Sequence, residues 1–176
     1  MDSLNKKNQQ GQSEFAFMQI AVALFLLVFS VQHGRGQSVE IRSREKAQEL
    51  THHLRSNLQQ FSEVRWDVHN SRRDDGIAVI WTIDSFSTHS GKQKYLADAG
   101  LNLRILSAVP GRAWQITQQS DSTNIVKGDR SATVSAVCTE YGEATLGLTV
   151  TFITSDTSVP AAGEYRAQLV GTITAP

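Results

Sequence analysis

Histidine, cysteine and clustered acidic residues are the side chains in this 176-residue chain with the means for metal or acid–base chemistry. The histidines are His33, His52, His53, His69 and His89. Neighbouring residues on a helix point about 100° apart, so His52 and His53 do not face one ion together. No cysteine stands at chelating spacing from any of them, and solvated helix and loop histidines are the expectation. Asp74 and Asp75 follow Arg72 and Arg73 in "SRRDDG". Acid–base catalysis needs two carboxylates held in different surroundings across a substrate, which adjacent residues in a charged turn do not supply. Asp121, in "QQSDSTN", is placed to accept backbone N–H groups in a local turn. Serines are plentiful, but there is no nucleophile elbow to raise a Ser–His–Asp arrangement above background. The sequence therefore assigns no catalytic residue, no metal ligand and no cofactor site, and the chain reads as a non-enzyme.

Cys138 is the only cysteine, which excludes a disulfide framework within the chain. Its setting, "SATVSAVCTE", alternates like a strand and makes it a small buried hydrophobe rather than a reactive thiol. Trp66, Trp81 and Trp114 raise the question of sugar stacking. All three fall on the apolar phase of strand patterns, so packing between two sheets is the default, with Trp66 the one kept open as a platform.

The elements that would carry these residues change character along the chain. The totals balance at 17 basic and 17 acidic residues, giving no electrostatic argument for nucleic acid. Charge is dense between Glu40 and Asp75 and sparse after Ser131, where Thr, Val, Ala and Gly dominate. Residues 1–14 are a polar leader. Phe15 to Val31 carries no charge, and only Gln19 and Ser30 are polar, so it reads as an apolar helix at the lower edge of membrane-spanning length. In "EIRSREKAQELTHHLRSNLQQF" the apolar positions Ala47, Leu50, Leu54, Leu58 and Phe61 make one narrow stripe, which predicts an amphipathic helix from about Ser38 to Gln60.

Beyond that the period becomes two. Val64, Trp66 and Val68 alternate with charged residues, and "IAVIWTI" (77–83) is apolar on both faces, as in a central strand. "DSFSTHSGKQKYLADAG" reads as a long polar connection with a short helix near Gln93 to Ala97. Residues 101–106, 113–117, 131–138, 145–154 and 164–174 continue the strand pattern, with Leu146, Leu148, Val150 and Phe152 on one face and Tyr165, Ala167, Leu169 and Ile173 on another. Strands at this spacing predict an antiparallel β-sandwich. No Gly-rich loop leads into a helix, so a nucleotide-binding reading has no footing.

Two resemblances follow. The ending, "VPAAGEYRAQLVGTITA", resembles the last strands of Ig-like sandwiches in bacterial fimbrial and other surface proteins. The start, "QQGQSEFAFMQIAVALFLLVFSVQHGR", resembles TadE-type pseudopilins and, more loosely, type IV pilin-like subunits, through Gly11, Gln12, Ser13, Glu14, Phe15, Ala16, Gly34 and Arg35. Glu14 is the third residue after Gly11, where the type IV pattern places it fifth. The resemblance implies cleavage after Gly11, a mature chain beginning at Gln12 and an assembly role for Glu14. A secretory signal peptide cut before Gln37 and a plain membrane anchor are the competing readings of the same stretch.

Together these give an α+β expectation: a long N-terminal apolar and amphipathic helix followed by an antiparallel Ig-like β-sandwich. The divisions are 1–14, an apolar membrane or assembly helix at 15–36, an amphipathic helix at 37–62 and a sandwich at 63–176. The implied function is a pilus- or pseudopilus-type subunit of the cell envelope, membrane-anchored or extracellular. Residues 15–31 would contact membrane, and the partners would be further copies or other pilus subunits. The alternative is a tethered or secreted β-sandwich binding module, adhesin-like, that recognises glycan or protein.

Overall fold

The computed structural model describes residues 20–28, 39–45, 47–52, 57–72, 76–154 and 163–174, and among these the chain is built of β-strands with two short 3₁₀ turns. Thirteen strands run in chain order: β1 (Ile20–Val28), β2 (Val39–Ser43), β3 (Ala47–His52), β4 (Leu58–Gln60), β5 (Val64–Asn70), β6 (Ile77–Asp84), β7 (Phe86–Ser90), β8 (Gln93–Val109), β9 (Trp114–Gln118), β10 (Ser120–Ser122), β11 (Ser131–Cys138), β12 (Gly142–Ile153) and β13 (Gly163–Thr174). They form two layers. Sheet I has the order β3–β1–β13–β6–β11–β9, and sheet II has the order β2–β5–β12–β8, with β4 on β12 and β10 on β8. Strand β8 is 17 residues long and serves both layers. Its beginning pairs with β7, and from Asp98 onward it pairs with β12.

The expected sandwich is present, and among the described residues the expected helices are not. Ile20–Val28, inside the segment read as an apolar helix, is a strand that pairs in parallel with β13 and antiparallel with β3. Its β-branched residues Ile20, Val22 and Val28 favour a pleated backbone, and over Ile20–Phe25 the main chain is paired on both edges without lipid or neighbouring helices. No helix among the described residues is long and apolar enough to cross a membrane. The amphipathic helix is replaced by β2, β3 and β4. Val39 and Ile41 precede the apolar stripe with a period of two, and Ile41 is fully buried. The stripe itself breaks up, since Ala47 and Leu58 are exposed while Phe61 is buried. Tertiary pairing overrides the helix propensity of the intervening Glu, Gln and Ala residues. The short helix near Gln93 is also a strand: β7 and β8 form a hairpin over Gly91–Lys92, and Gly91 takes a φ of 59°, which suits a two-residue turn.

The core lies between the layers. Phe61 stacks on Phe86 at 5.8 Å, Phe86 meets Phe152 edge-on at 5.2 Å, and Phe152 meets Tyr165 at 5.4 Å. Trp66 of sheet II and Trp81 of sheet I cross at 6.1 Å and 72°. They come this close because Gly171 lies beside them; a Cβ there would stand 3.0–3.1 Å from Ile41, Trp66 and Trp81. All three indole N–H groups, those of Trp66, Trp81 and Trp114, are buried without a hydrogen-bond partner, so these rings serve the core through area and shape.

Candidate ligand-binding face

With their apolar phase turned inward, the strands of sheet II must present the opposite phase to solvent. Register lines these outward residues up in rows across the sheet. Arg42 of β2 lies opposite Asp67 of β5, which lies opposite Thr145 of β12, which lies opposite Ser107 of β8. One row along, Glu40, His69, Glu143 and Val109 repeat the arrangement. On the other side, Arg65, Gly147 and Arg104 form a third row. The first two rows, with Arg44, line a groove of about 440 Å³.

The side chains in the groove hold one another in place. Arg44 donates from Nε and Nη2 to the two Asp67 oxygens at 2.7 and 2.8 Å, and the Thr145 hydroxyl donates to Asp67 Oδ1 at 2.9 Å. His69 Nδ1 lies 3.1 Å from Glu143 Oε1, and the Tyr141 ring stands edge-on to the imidazole at 5.9 Å and 88°. Arg42 pairs with Glu40 along the same strand. The hydrogen bond from Arg44 is the main reason the Asp67 carboxyl is held below the usual carboxylate range, with Thr145 adding to it against partial burial. In the third row Glu63 reaches over Gly147, where there is no side chain to obstruct it, and receives Arg104; that bond holds its carboxyl low as well.

The residues singled out from sequence are not gathered into one site. Gly11, Gln12 and Glu14 lie outside the described residues, as do His33, His53, Arg73, Asp74 and Asp75. His52 is at the end of β3, and His89 is exposed on β7, far along the chain from the groove that His69 lines. Among the described residues no group of three or more His, Cys, Asp or Glu is arranged to hold a metal ion. Asp121 accepts the N–H of Ser122, as its turn setting predicts, and also that of Thr133 at 2.8 Å, tying β10 to β11. Cys138 is buried with its Sγ 2.8 Å from the Glu140 carbonyl, and burial pushes the thiol pKa up. Trp66 is fully buried, which removes it as a sugar platform.

No protein-family model and no curated protein matches the sequence. Among solved structures the chain is similar to a collagen-binding domain from a Staphylococcus aureus adhesin, at 10% identity and a TM-score of 0.21, over 66% of this chain and 98% of that one.

Sequence reasoning missed Arg44, Asp67, Glu143 and Thr145 as a set. The signal lay in the outward phase of "VRWDVHN" and "EATLG", where Asp67, His69, Glu143 and Thr145 alternate with buried residues. Arg42 and Arg44 were hidden by the helical reading of their segment.

Proposed function

We propose that this chain is a non-enzymatic β-sandwich binding module of the cell surface that holds a glycan against the groove of sheet II. The observation that carries the reading is the Arg44–Asp67–Thr145 arrangement, in which charged and hydroxyl groups are already fixed by mutual hydrogen bonds before any ligand arrives. Fixed donors and acceptors lose little side-chain entropy on binding. A protein ligand is favoured by an apolar anchor pocket at the centre of its interface. Here charged and hydroxyl side chains make up most of the lining, the apolar lining residues are Val68, Ala108, Val109 and Ala144, and Tyr141, beside His69, is 47% exposed. A dense hydrogen-bonding floor with one exposed aromatic at its edge suits a polyhydroxylated ligand that also has apolar ring faces.

The pilus-subunit reading relied on an apolar helix bundling with its neighbours. Ile20–Val28 is instead a paired strand of the sandwich, so that mode of assembly is set aside.

The test is a glycan array probed with the full chain, followed by titration of the best ligand against Asp67→Ala and Thr145→Val. Each substitution is expected to weaken binding by about tenfold or more, the worth of one well-made polar contact. A chain that binds no arrayed glycan, or variants that bind as the parent does, would overturn the proposal.

A further inference from the structure

The groove of sheet II has a direction. Glu40 and Arg42 stand on β2 at one end, Ser107 and Val109 on β8 at the other, with Asp67 of β5 and Thr145 of β12 between them. Among the described residues β2 pairs with β5 alone. At Ser107–Val109, β8 pairs with β12 on one side, and β10 joins its other side only at Gly100–Asn102. Among the described residues, then, the groove begins at one edge of sheet II and ends at the other, with no strand paired beyond either end.

Three strand spacings of about 4.8 Å carry it roughly 14 Å from β2 to β8, a run that one sugar ring does not fill. A pocket made for the end of a chain is closed on one side, whereas a passage from edge to edge admits a chain that continues past both.

Charge narrows the ligand further. Glu40 is paired with Arg42, Asp67 with Arg44 and Glu143 with His69, so each carboxylate in the lining already has its partner. An acidic sugar would be set against those carboxylates and a basic one against the arginines, and such like-charge contacts select against a ligand. Hydroxyl groups meet no such opposition. They donate to carboxylate oxygens and accept from guanidinium nitrogens alike.

We propose that the groove holds an internal stretch of an uncharged, linear polysaccharide, laid across the strands from β2 to β8. The inference rests on the glycan reading of this face and adds the charge class of the glycan and the part of its chain that is held. The test is calorimetric titration of the full chain with paired di- and hexasaccharides of cellulose, β-mannan, xylan and starch. Hexamers of galacturonic acid and of glucosamine serve as the charged probes. At least one neutral hexasaccharide is expected to bind about tenfold or more tighter than its disaccharide, with little dependence on salt. The parent polysaccharide, whose ends are scarce, should compete as well as the hexasaccharide at equal mass. Arg42→Ala and Ser107→Ala, at opposite ends of the groove, should each weaken hexasaccharide binding several-fold, with unchanged tryptophan fluorescence certifying the fold. Preference for a charged hexamer, equal affinity for disaccharide and hexasaccharide, a polysaccharide that does not compete, or variants that bind as the parent does would overturn this inference and leave the glycan reading standing. Binding to none of these probes would also overturn it, and if the glycan array is blank as well, the glycan reading falls with it.

Discussion

Arg44 grips Asp67 with two parallel hydrogen bonds, joining the bend after β2 to the middle of β5. The geometry makes a definite statement about pH. Asp67 is held below the ordinary aspartate value of about 3.9. A depressed pKa in the folded state adds stability that is complete above the unfolded value and is lost as pH falls through the folded one. Arg44→Ala should therefore raise the Asp67 midpoint in a carboxyl-carbon NMR titration and flatten the acid-side fall in stability. Both partners are about half exposed, so the overall stability change should be small. An unmoved midpoint would show that the pair does not persist in solution.

Gly171 and Gly147 offer a matched comparison. A methyl group at Gly171 meets Ile41, Trp66 and Trp81 at 3.0–3.1 Å, all fully buried. Gly171→Ala should cost about 1–3 kcal/mol in urea unfolding, as overpacked cores do. At Gly147 the methyl group meets only the Glu63 carboxylate and its stem, the movable end of a side chain. Gly147→Ala should change stability by about 0.5 kcal/mol or less. It should also push Glu63 away from Arg104 and let its carboxyl titrate nearer the ordinary value. Equal losses at the two sites would contradict this account of the core.

Phe152 sits between Phe86 and Tyr165 and is fully buried. Phe152→Ala should cost about 3–5 kcal/mol, because it leaves a cavity that the two rings cannot fill. Phe152→Leu should recover most of that loss.

Cys138 should behave as part of the core. With its sulfur buried and its pKa raised, it should react with a disulfide reagent at pH 8 only as fast as the protein opens. Added urea should accelerate labelling in step with unfolding. Rapid labelling of the folded chain would contradict the burial.

The pairing of β1 bears on processing. Removing everything before Gln37 would strip β1 from between β13 and β3 and leave both with open edges. Mass spectrometry of the mature protein is therefore expected to find residues 20–28. A chain beginning at Gln37 with undiminished stability would show that β1 contributes nothing to the fold.

How much of this was legible in the sequence depended on contrast between neighbouring residues. Where apolar and polar residues alternate cleanly, as in "VRWDVHN" and "SATVSAVC", strands β5 and β11 fall where the period of two puts them. The pattern failed where one signal masked another. The apolar run around Ile20–Val28 has no alternation to read, and a long hydrophobic segment looks alike as helix or strand until its pairing partners are known. Between Ala47 and Phe61 the spacing of apolar residues suited a helix by local rules, while the deciding contacts, such as Phe61 against Phe86, are long-range. The β7–β8 hairpin was obscured by its polar outward residues, since only Phe86, Thr88 and Ala97 mark the buried phase. The groove was legible only in pieces. Asp67 and Thr145 stand 78 positions apart, and sheet register alone makes them neighbours.

Strands β1 and β13 run in the same direction, with Ile20 beside Gly163 and Val28 beside Gly171. Tension entering the chain before Ile20 and leaving after Thr174 would drag these two strands past each other along their common axis. The hydrogen bonds between them would then bear the load together, whereas a hairpin pulled at its open end yields one bond at a time. For a domain held at one end and pulled through the other, this side-by-side pair is a mechanical clamp, strongest along the line on which the chain would be stretched.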